Sequence, residues 1–197
     1  MPYIPQLHSG RLQRLEAAFY QGRAYVHWTI TISGRATGWL TDYHHLELRE
    51  LLCHTLCRHD LICPTYSLMP DHAHFLWMGY QERSDQRRAM AALRWSWNRL
   101  LKKSGRELER QSYDHILRHE ERQRGAFGAV CQYILDNPVR ENLVSDWRRY
   151  PYFGAMVPGF PILHPSETDF WDRFWRVYEK LTAASGGENL TVSATSA

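Results

Sequence analysis

The chain lacks the features that would place it in a membrane or in an oxidising compartment. A membrane-spanning helix needs about 20 mainly apolar residues, and the 197 residues contain no such run and no basic N-terminal flank followed by an apolar segment. The four cysteines show no Cys-x-x-Cys spacing, which argues against a zinc ribbon or a disulfide scaffold. We therefore expect a cytoplasmic protein with buried, reduced thiols and no membrane partner.

A strong charge of one sign is also absent. The formal net charge is only +3, which is too small to indicate a nucleic-acid partner by itself. The distribution is more informative, because residues 81–124 contain twelve Lys or Arg against seven Asp or Glu. A run of this kind is usually a solvated helix face, although it also attracts a phosphate backbone. It supports a nucleic-acid function without establishing one.

The spacing of apolar residues predicts alternating strands and helices over the central part of the chain. β-Branched and aromatic runs indicate strands, whereas apolar residues that recur every three or four positions indicate helices. The predicted strands are 25–32, 61–69, 72–78 and a short, ambiguous 113–118, and the predicted helices are 42–59, 86–103 and 120–137. This order favours an α+β, ferredoxin-like (RRM-like) sandwich, in which helices pack on one face of a mainly antiparallel sheet.

The chain divides into one domain and two extensions. We expect residues 1–22 to form an N-terminal extension with a short helix at 12–20, and residues 23–153 to form the domain. Residues 154–183 form a C-terminal extension with a Trp-rich helix at about 167–181, and the small, polar residues 184–197 are expected to be disordered.

Two histidines separated by one alanine lie in the third predicted strand. His72 and His74 would point to the same face, because successive side chains of a strand alternate. Two imidazoles so placed suit a single metal ion, but they are also compatible with a plain solvent face. A second pair, Tyr133 and Asn137, lies four residues apart on one face of a later predicted helix.

Residues 67–77 (SLMPDHAHFLW) and 133–144 (YILDNPVRENLV) resemble the two signature regions of the REP-associated tyrosine transposases. These belong to the single-tyrosine, His-hydrophobe-His transposases of bacterial insertion sequences. The resemblance in layout extends over about residues 23–153. It implies that His72, His74 and Asn137 bind Mg²⁺ or Mn²⁺ and that Tyr133 is the nucleophile. The product would be a covalent 5′-phosphotyrosine and a free 3′-hydroxyl.

The same resemblance implies a DNA partner and a DNA breakage and joining reaction. The substrate would be single-stranded DNA or a REP-like palindromic hairpin, bound by a monomer or a homodimer that is associated with the nucleoid. Candidate phosphate contacts are the basic residues of the long predicted helix and one residue after the nucleophile: Arg87, Arg88, Arg94, Arg99, Lys102, Lys103 and Arg140.

Three alternatives remain open at this point. Tyr113, which lies near His115 and His119, is the alternative nucleophile. The domain could instead be a non-catalytic module that holds single-stranded nucleic acid on its sheet. A small metallohydrolase that uses a bound water is a third, weaker alternative.

Overall fold

The computed structural model describes residues 14–184. Thr41 caps the first long helix by accepting a hydrogen bond from the His44 amide, and Asp85 caps the second by accepting one from the Arg88 amide. In chain order the strands are β1 (Tyr25–Thr31), β2 (Leu61–Leu68), β3 (His72–Gly79), β4 (Tyr113–Ile116) and β5 (Phe153–Met156). The α-helices are α1 (Asp42–Arg58), α2 (Gln86–Lys102), α3 (His119–Gln123), α4 (Ala126–Arg140) and α5 (Phe170–Ala184), and 3₁₀ turns occupy Ala17–Tyr20, Ser33–Arg35 and Trp147–Arg149.

The five strands form one antiparallel sheet in the order β4-β1-β3-β2-β5. The α+β class and the ferredoxin-like arrangement predicted from the sequence are therefore confirmed. Strand β1 pairs with both β3 and β4, so that Thr29 lies between His74 on one side and Tyr113 on the other. These three residues share one face of the sheet, because directly paired residues point the same way.

Helices cover both faces of the sheet, whereas the sequence predicted helices on one face. Helices α1 and α2 pack on the face that carries Trp28, Phe75 and Trp77. Helices α4 and α5 cover the opposite face, where they contact Leu76 and Met78. The physical reason lies in the central strands: all of β2 and nearly all of β3 is buried, and a sheet that is apolar on both sides needs a layer on each.

The single helix predicted at 120–137 is two helices. Gly125 separates α3 from α4 with a left-handed φ of 81°, a conformation that glycine adopts at little steric cost. The helix was predicted to end at residue 137, but α4 continues through Pro138 to Arg140 because later residues still donate, as the Glu141 amide does to the Asn137 carbonyl at 3.0 Å. A proline in the last turn removes only its own N–H donor.

The fifth strand was not predicted. No strand was assigned to residues 153–156 from the sequence, but they pair with β2, with Gly154 opposite Tyr66. A Cβ atom on Gly154 would lie 2.9 Å from the Tyr66 hydroxyl oxygen. Only a glycine therefore allows this pairing without displacing the tyrosine, and that requirement is visible only once the strands are side by side.

Both ends of the described region contact the core. Tyr20 is fully buried against Trp28, whereas the rest of the predicted N-terminal helix lies partly outside the described residues, as does the predicted disordered tail beyond Ala184. All four thiols are free, and Cys57 is exposed although it was expected to be buried. Within residues 14–184, no helix is both long and apolar enough to cross a membrane.

Candidate active site

The histidine pair of β3 lies on the face of the sheet that α4 covers. His72 and His74 point to this face, while Ala73 between them is buried on the opposite face in the core of α1 and α2. The Nε2 atoms of the two histidines converge to 3.1 Å, and their rings are perpendicular. His74 is 3% exposed, so the pair is not a solvated strand face.

The rings of both histidines are oriented through their Nδ1 atoms. The Asp71 carboxylate lies 2.6 Å from Nδ1 of His72 and accepts from it, and the same carboxylate accepts from the Arg35 guanidinium at 2.8 Å. Nδ1 of His74 lies 3.1 Å from both the Thr29 hydroxyl and Nε2 of His27. With Nδ1 occupied on each ring, Nε2 is the atom that each histidine presents to the site.

Helix α4 places Tyr133 and Asn137 against the histidines. The Tyr133 ring stands edge-on to His74, with centroids 5.6 Å apart. Asn137 is buried and donates from Nδ2 to the Tyr133 carbonyl at 2.8 Å. Their separation of four residues brings them to one helix face, as the sequence predicted. The structure therefore assembles these residues at one point between α4 and β3.

Burial dominates the electrostatics of the site. It lowers the pKa of His74 well below its ordinary value, assisted by the charges of His27 and His72 and opposed by the Asn137 side chain, whose amide oxygen can accept from the protonated ring. Burial also raises the pKa of Tyr133, while the Arg140 guanidinium and the Asn137 side chain act in the opposite direction. The Arg140 guanidinium lies 5.1 Å from the centre of the Tyr133 ring, where it favours the phenolate over the phenol.

The side chains at this point fit a divalent cation. Within residues 14–184, no three His, Cys, Asp or Glu side chains group into a metal cluster, so the candidate donors are two imidazoles and the Asn137 amide. Ligand atoms at right angles on bonds of about 2.1 Å are about 3 Å apart, and the two Nε2 atoms are separated by 3.1 Å. Asp71 accepts from Nδ1 of His72, so a neutral His72 has its lone pair on Nε2, the nitrogen that a divalent cation would bind.

Tyr113 lies on the same face as the histidines. It is opposite Thr29 on the edge strand β4, and its charge would raise the pKa of Tyr133. His115 is opposite His27 and 3.3 Å from Glu121, while the exposed His119 contacts Gln123 at 2.9 Å. The alternative nucleophile is thus near the site, whereas His119 is engaged in its own helix.

The basic residues of α2 are not brought to this site. Helix α2 packs on the opposite face of the sheet, through Leu93 and Trp97 among others. Arg94 is half-buried and donates to the Ser112 hydroxyl, Arg88 pairs with Asp85, and Arg99 lies over the exposed Trp95. Arg87 lies over Tyr20, and Lys102 and Lys103 are exposed at the end of the helix. Of the basic candidates, Arg140 alone contacts Tyr133 in the described region.

The sequence did not indicate that His27 and Thr29 belong to the site. His27 is fully buried, and burial, followed by the charge of His115, lowers its pKa to about 3. The signal was present in the sequence, because Trp28 and Ile30 mark the core face of β1 and the intervening residues must point the other way. What the sequence did not contain is the register that places this face beside His74.

No family model and no curated protein matches the chain. Among solved structures, the fold is similar to that of a REP-associated tyrosine transposase bound to a REP hairpin, with a TM-score of 0.59 and 15% sequence identity. The match covers 73% of this chain and 81% of the other. A likeness at this level of identity shows that the two chains share a fold.

Proposed function

We propose that this protein is a metal-dependent, single-tyrosine DNA transposase or strand transferase that cleaves and rejoins single-stranded or hairpin DNA. The observation that carries the proposal is that the candidate metal ligands and the candidate nucleophile meet at one point. Nε2 of His72 and Nε2 of His74 lie 3.1 Å apart, and the Tyr133 ring stands edge-on to His74 with centroids 5.6 Å apart. A module that only binds nucleic acid has no need for that arrangement.

In the proposed reaction the Tyr133 hydroxyl oxygen attacks the phosphorus of a DNA phosphodiester. The bond from phosphorus to the 3′ oxygen breaks, so the downstream strand is joined to Tyr133 through its 5′ phosphate and the upstream strand ends in a free 3′-hydroxyl. The proton lost by the phenol balances the proton gained by the leaving oxygen. Because one phosphoester replaces another, a second 3′-hydroxyl can reverse the step without ATP.

The side chains around Tyr133 have separate tasks in this reaction. His72, His74 and Asn137 would hold Mg²⁺ or Mn²⁺, which when bound offsets phosphate charge and raises the electrophilicity of phosphorus. Arg140 and Asn137 stabilise the phenolate against the effect of burial. The Asn137 side chain donates to the Tyr133 carbonyl within the same helix. This hydrogen bond fixes the position of the candidate ligand Asn137 relative to the candidate nucleophile Tyr133.

The proposed substrate rests on the fold and on the restricted access to the site. The structural neighbour is bound to a REP hairpin, and its fold is shared. Tyr133 is half-buried between α4 and the sheet, so the phosphate must come from a thin and flexible strand rather than from the middle of a duplex. Single-stranded DNA beside a hairpin meets that condition.

The experiment that tests the proposal is covalent trapping. Labelled single-stranded and hairpin oligonucleotides are incubated with the protein and Mn²⁺, and denaturing gels are examined for a protein-DNA adduct. We expect an adduct that requires the metal and that Tyr133→Phe abolishes. Tyr113→Phe is the matched control, because it removes a hydroxyl from the same face, and it should retain the adduct.

Each other outcome of this experiment would support one of the alternatives. An adduct that still forms in Tyr133→Phe and is lost in Tyr113→Phe would identify Tyr113, on β4, as the nucleophile. Metal-dependent cleavage without any adduct would indicate a hydrolase that uses water. Binding that is indifferent to chelator, with no cleavage by the unmodified protein, would leave only a nucleic-acid-binding module.

A further inference from the structure

Four arginines surround a cleft on the far side of the sheet from Tyr133. The cleft has a volume of about 600 Å³ and lies between α2 and the segment that enters β4; Arg14, Arg87, Met90, Ala91, Arg94, Arg110 and Gln111 line it. Two of these residues, Arg14 and Arg110, were not expected from the sequence to contact DNA. Within residues 14–184, no carboxylate lines the cleft.

Neighbouring groups hold two of the four arginines in place. Arg94 donates to the Ser112 hydroxyl at 2.8 Å, and Arg14 donates to the Ser112 carbonyl at 3.4 Å. Asp114 forms an ion pair with Arg14 at 3.5 Å and also accepts from the Tyr20 hydroxyl, so it offsets part of the positive charge of the four arginines. Burial and the charge of Arg14 both lower the pKa of Arg94, while Glu109 opposes them. A cluster of like charges costs free energy, and a bound polyanion relieves that cost.

Strand β4 connects this cleft to the catalytic face. Its residues alternate in direction: Asp114 lies opposite Trp28 on the α2 side, whereas Tyr113 lies opposite Thr29 on the side of His74. Gln111 lines the cleft only two residues before Tyr113, which corresponds to about 7 Å of extended backbone. Because β4 is the edge of the sheet, a flexible strand can pass around it from one face to the other.

We infer that the arginine cleft binds the phosphates of a single-stranded DNA segment that continues from the cleavage site around the β4 edge. This inference rests on the proposed function, and it adds a second DNA contact on the opposite face of the sheet. The cleft would hold the strand by its backbone, so this contact contributes affinity and placement without reading the base sequence. A duplex is too wide to follow a single edge strand in this way.

The test compares two double variants that each remove two positive charges. Arg87→Gln/Arg110→Gln changes exposed residues of the cleft, and Arg58→Gln/Lys180→Gln changes exposed residues of α1 and α5 that lie outside the cleft. Fluorescence anisotropy measures the binding of a labelled hairpin with single-stranded thymine flanks and of the same hairpin without them. Melting temperatures of both variants check that the fold is kept.

We expect the cleft variant to bind the flanked hairpin about tenfold more weakly, and the slope of log K against log salt to fall by about 1.4, since each lost single-strand contact removes about 0.7. Its binding of the hairpin without flanks should equal that of the control variant. Equal losses on both DNAs, or no loss on either, would overturn the inference. Adduct formation on a short oligonucleotide that contains the scissile phosphodiester but no long single-stranded flank is measured in the same variants. If the cleft variant still forms adducts and binds the flanked hairpin as well as the control variant does, the inference about the cleft is refuted and the proposed function is not. If the unmodified protein forms no adduct, the proposed function is refuted.

Discussion

Removing the carboxylate that orients His72 should weaken metal binding in a graded manner. The Asp71 side chain bridges His72 and Arg35, at 2.6 Å and 2.8 Å. Burial alone would raise the pKa of Asp71, but the hydrogen bond and charge of His72, together with Arg35, lower it below its ordinary value. The carboxylate is therefore ionised and forms a charge-assisted bond, which is roughly twice as strong as a neutral one.

Two substitutions separate the charge of Asp71 from its shape. Asp71→Asn keeps an acceptor near Nδ1 and loses only the charge, so we expect Mn²⁺ affinity to fall about 10-fold, or about 1.4 kcal/mol. Asp71→Ala also frees the ring to rotate, so a loss of about 100-fold is expected. Arg35→Gln is the milder control, because the Arg35 side chain is 60% exposed and screened by solvent.

The assay is a titration followed by the electron paramagnetic resonance signal of free aquated Mn²⁺, which disappears on binding. It reports affinity without any catalytic turnover. Unchanged affinity in Asp71→Ala would refute the orienting role of the carboxylate, provided that the unmodified protein binds Mn²⁺. Equal losses in the Asn and Ala variants would show that charge alone matters and that ring orientation does not.

Three further predictions concern stability. The folded protein keeps His27 neutral, with a pKa of about 3, whereas the unfolded chain binds a proton below about pH 6.5, so acidification favours unfolding. Between pH 7 and pH 5 this costs about 2 kcal/mol, and His27→Leu should flatten that part of a urea-unfolding pH profile; an unchanged slope would contradict the reasoning. Gly79→Ala should destabilise by about 3 kcal/mol, since its Cβ would lie 1.9 Å from the Gly22 carbonyl oxygen. Gly128→Ala, in an open position on α4, should instead raise the free energy of unfolding by about 0.5–1 kcal/mol. Calorimetry measures this change, and a loss of stability would contradict the reasoning.

Local sequence signals predicted most of the strands and helices. The starts of α1 and α2 follow from Thr41 and Asp85, whose short polar side chains satisfy free amides of the first turn. The alternation of His72, Ala73 and His74 correctly predicted that the two histidines share one face of the strand and that Ala73 lies on the other. Such features depend on neighbours within a few residues along the chain, so they can be predicted from the sequence.

Long-range pairing decided the rest. Nothing near His27 in the sequence indicates that β1 lies beside β3 with Thr29 opposite His74, and the four residues of β5 become a strand only by pairing with β2. The layer of α4 and α5 on the second face likewise follows from burial of β2 and β3 on both sides.

The sequence by itself determined which side chains are available for the proposed reaction: two histidines on one strand face, and a tyrosine and an asparagine on one helix face. The tertiary structure alone placed these two faces in contact, buried His74, added His27 and Thr29 behind it, and moved the basic helix α2 to the other side of the sheet. The reason is physical. Side-chain direction within an element is set by local backbone geometry, whereas the packing of elements is set by apolar surfaces that are distant in the chain.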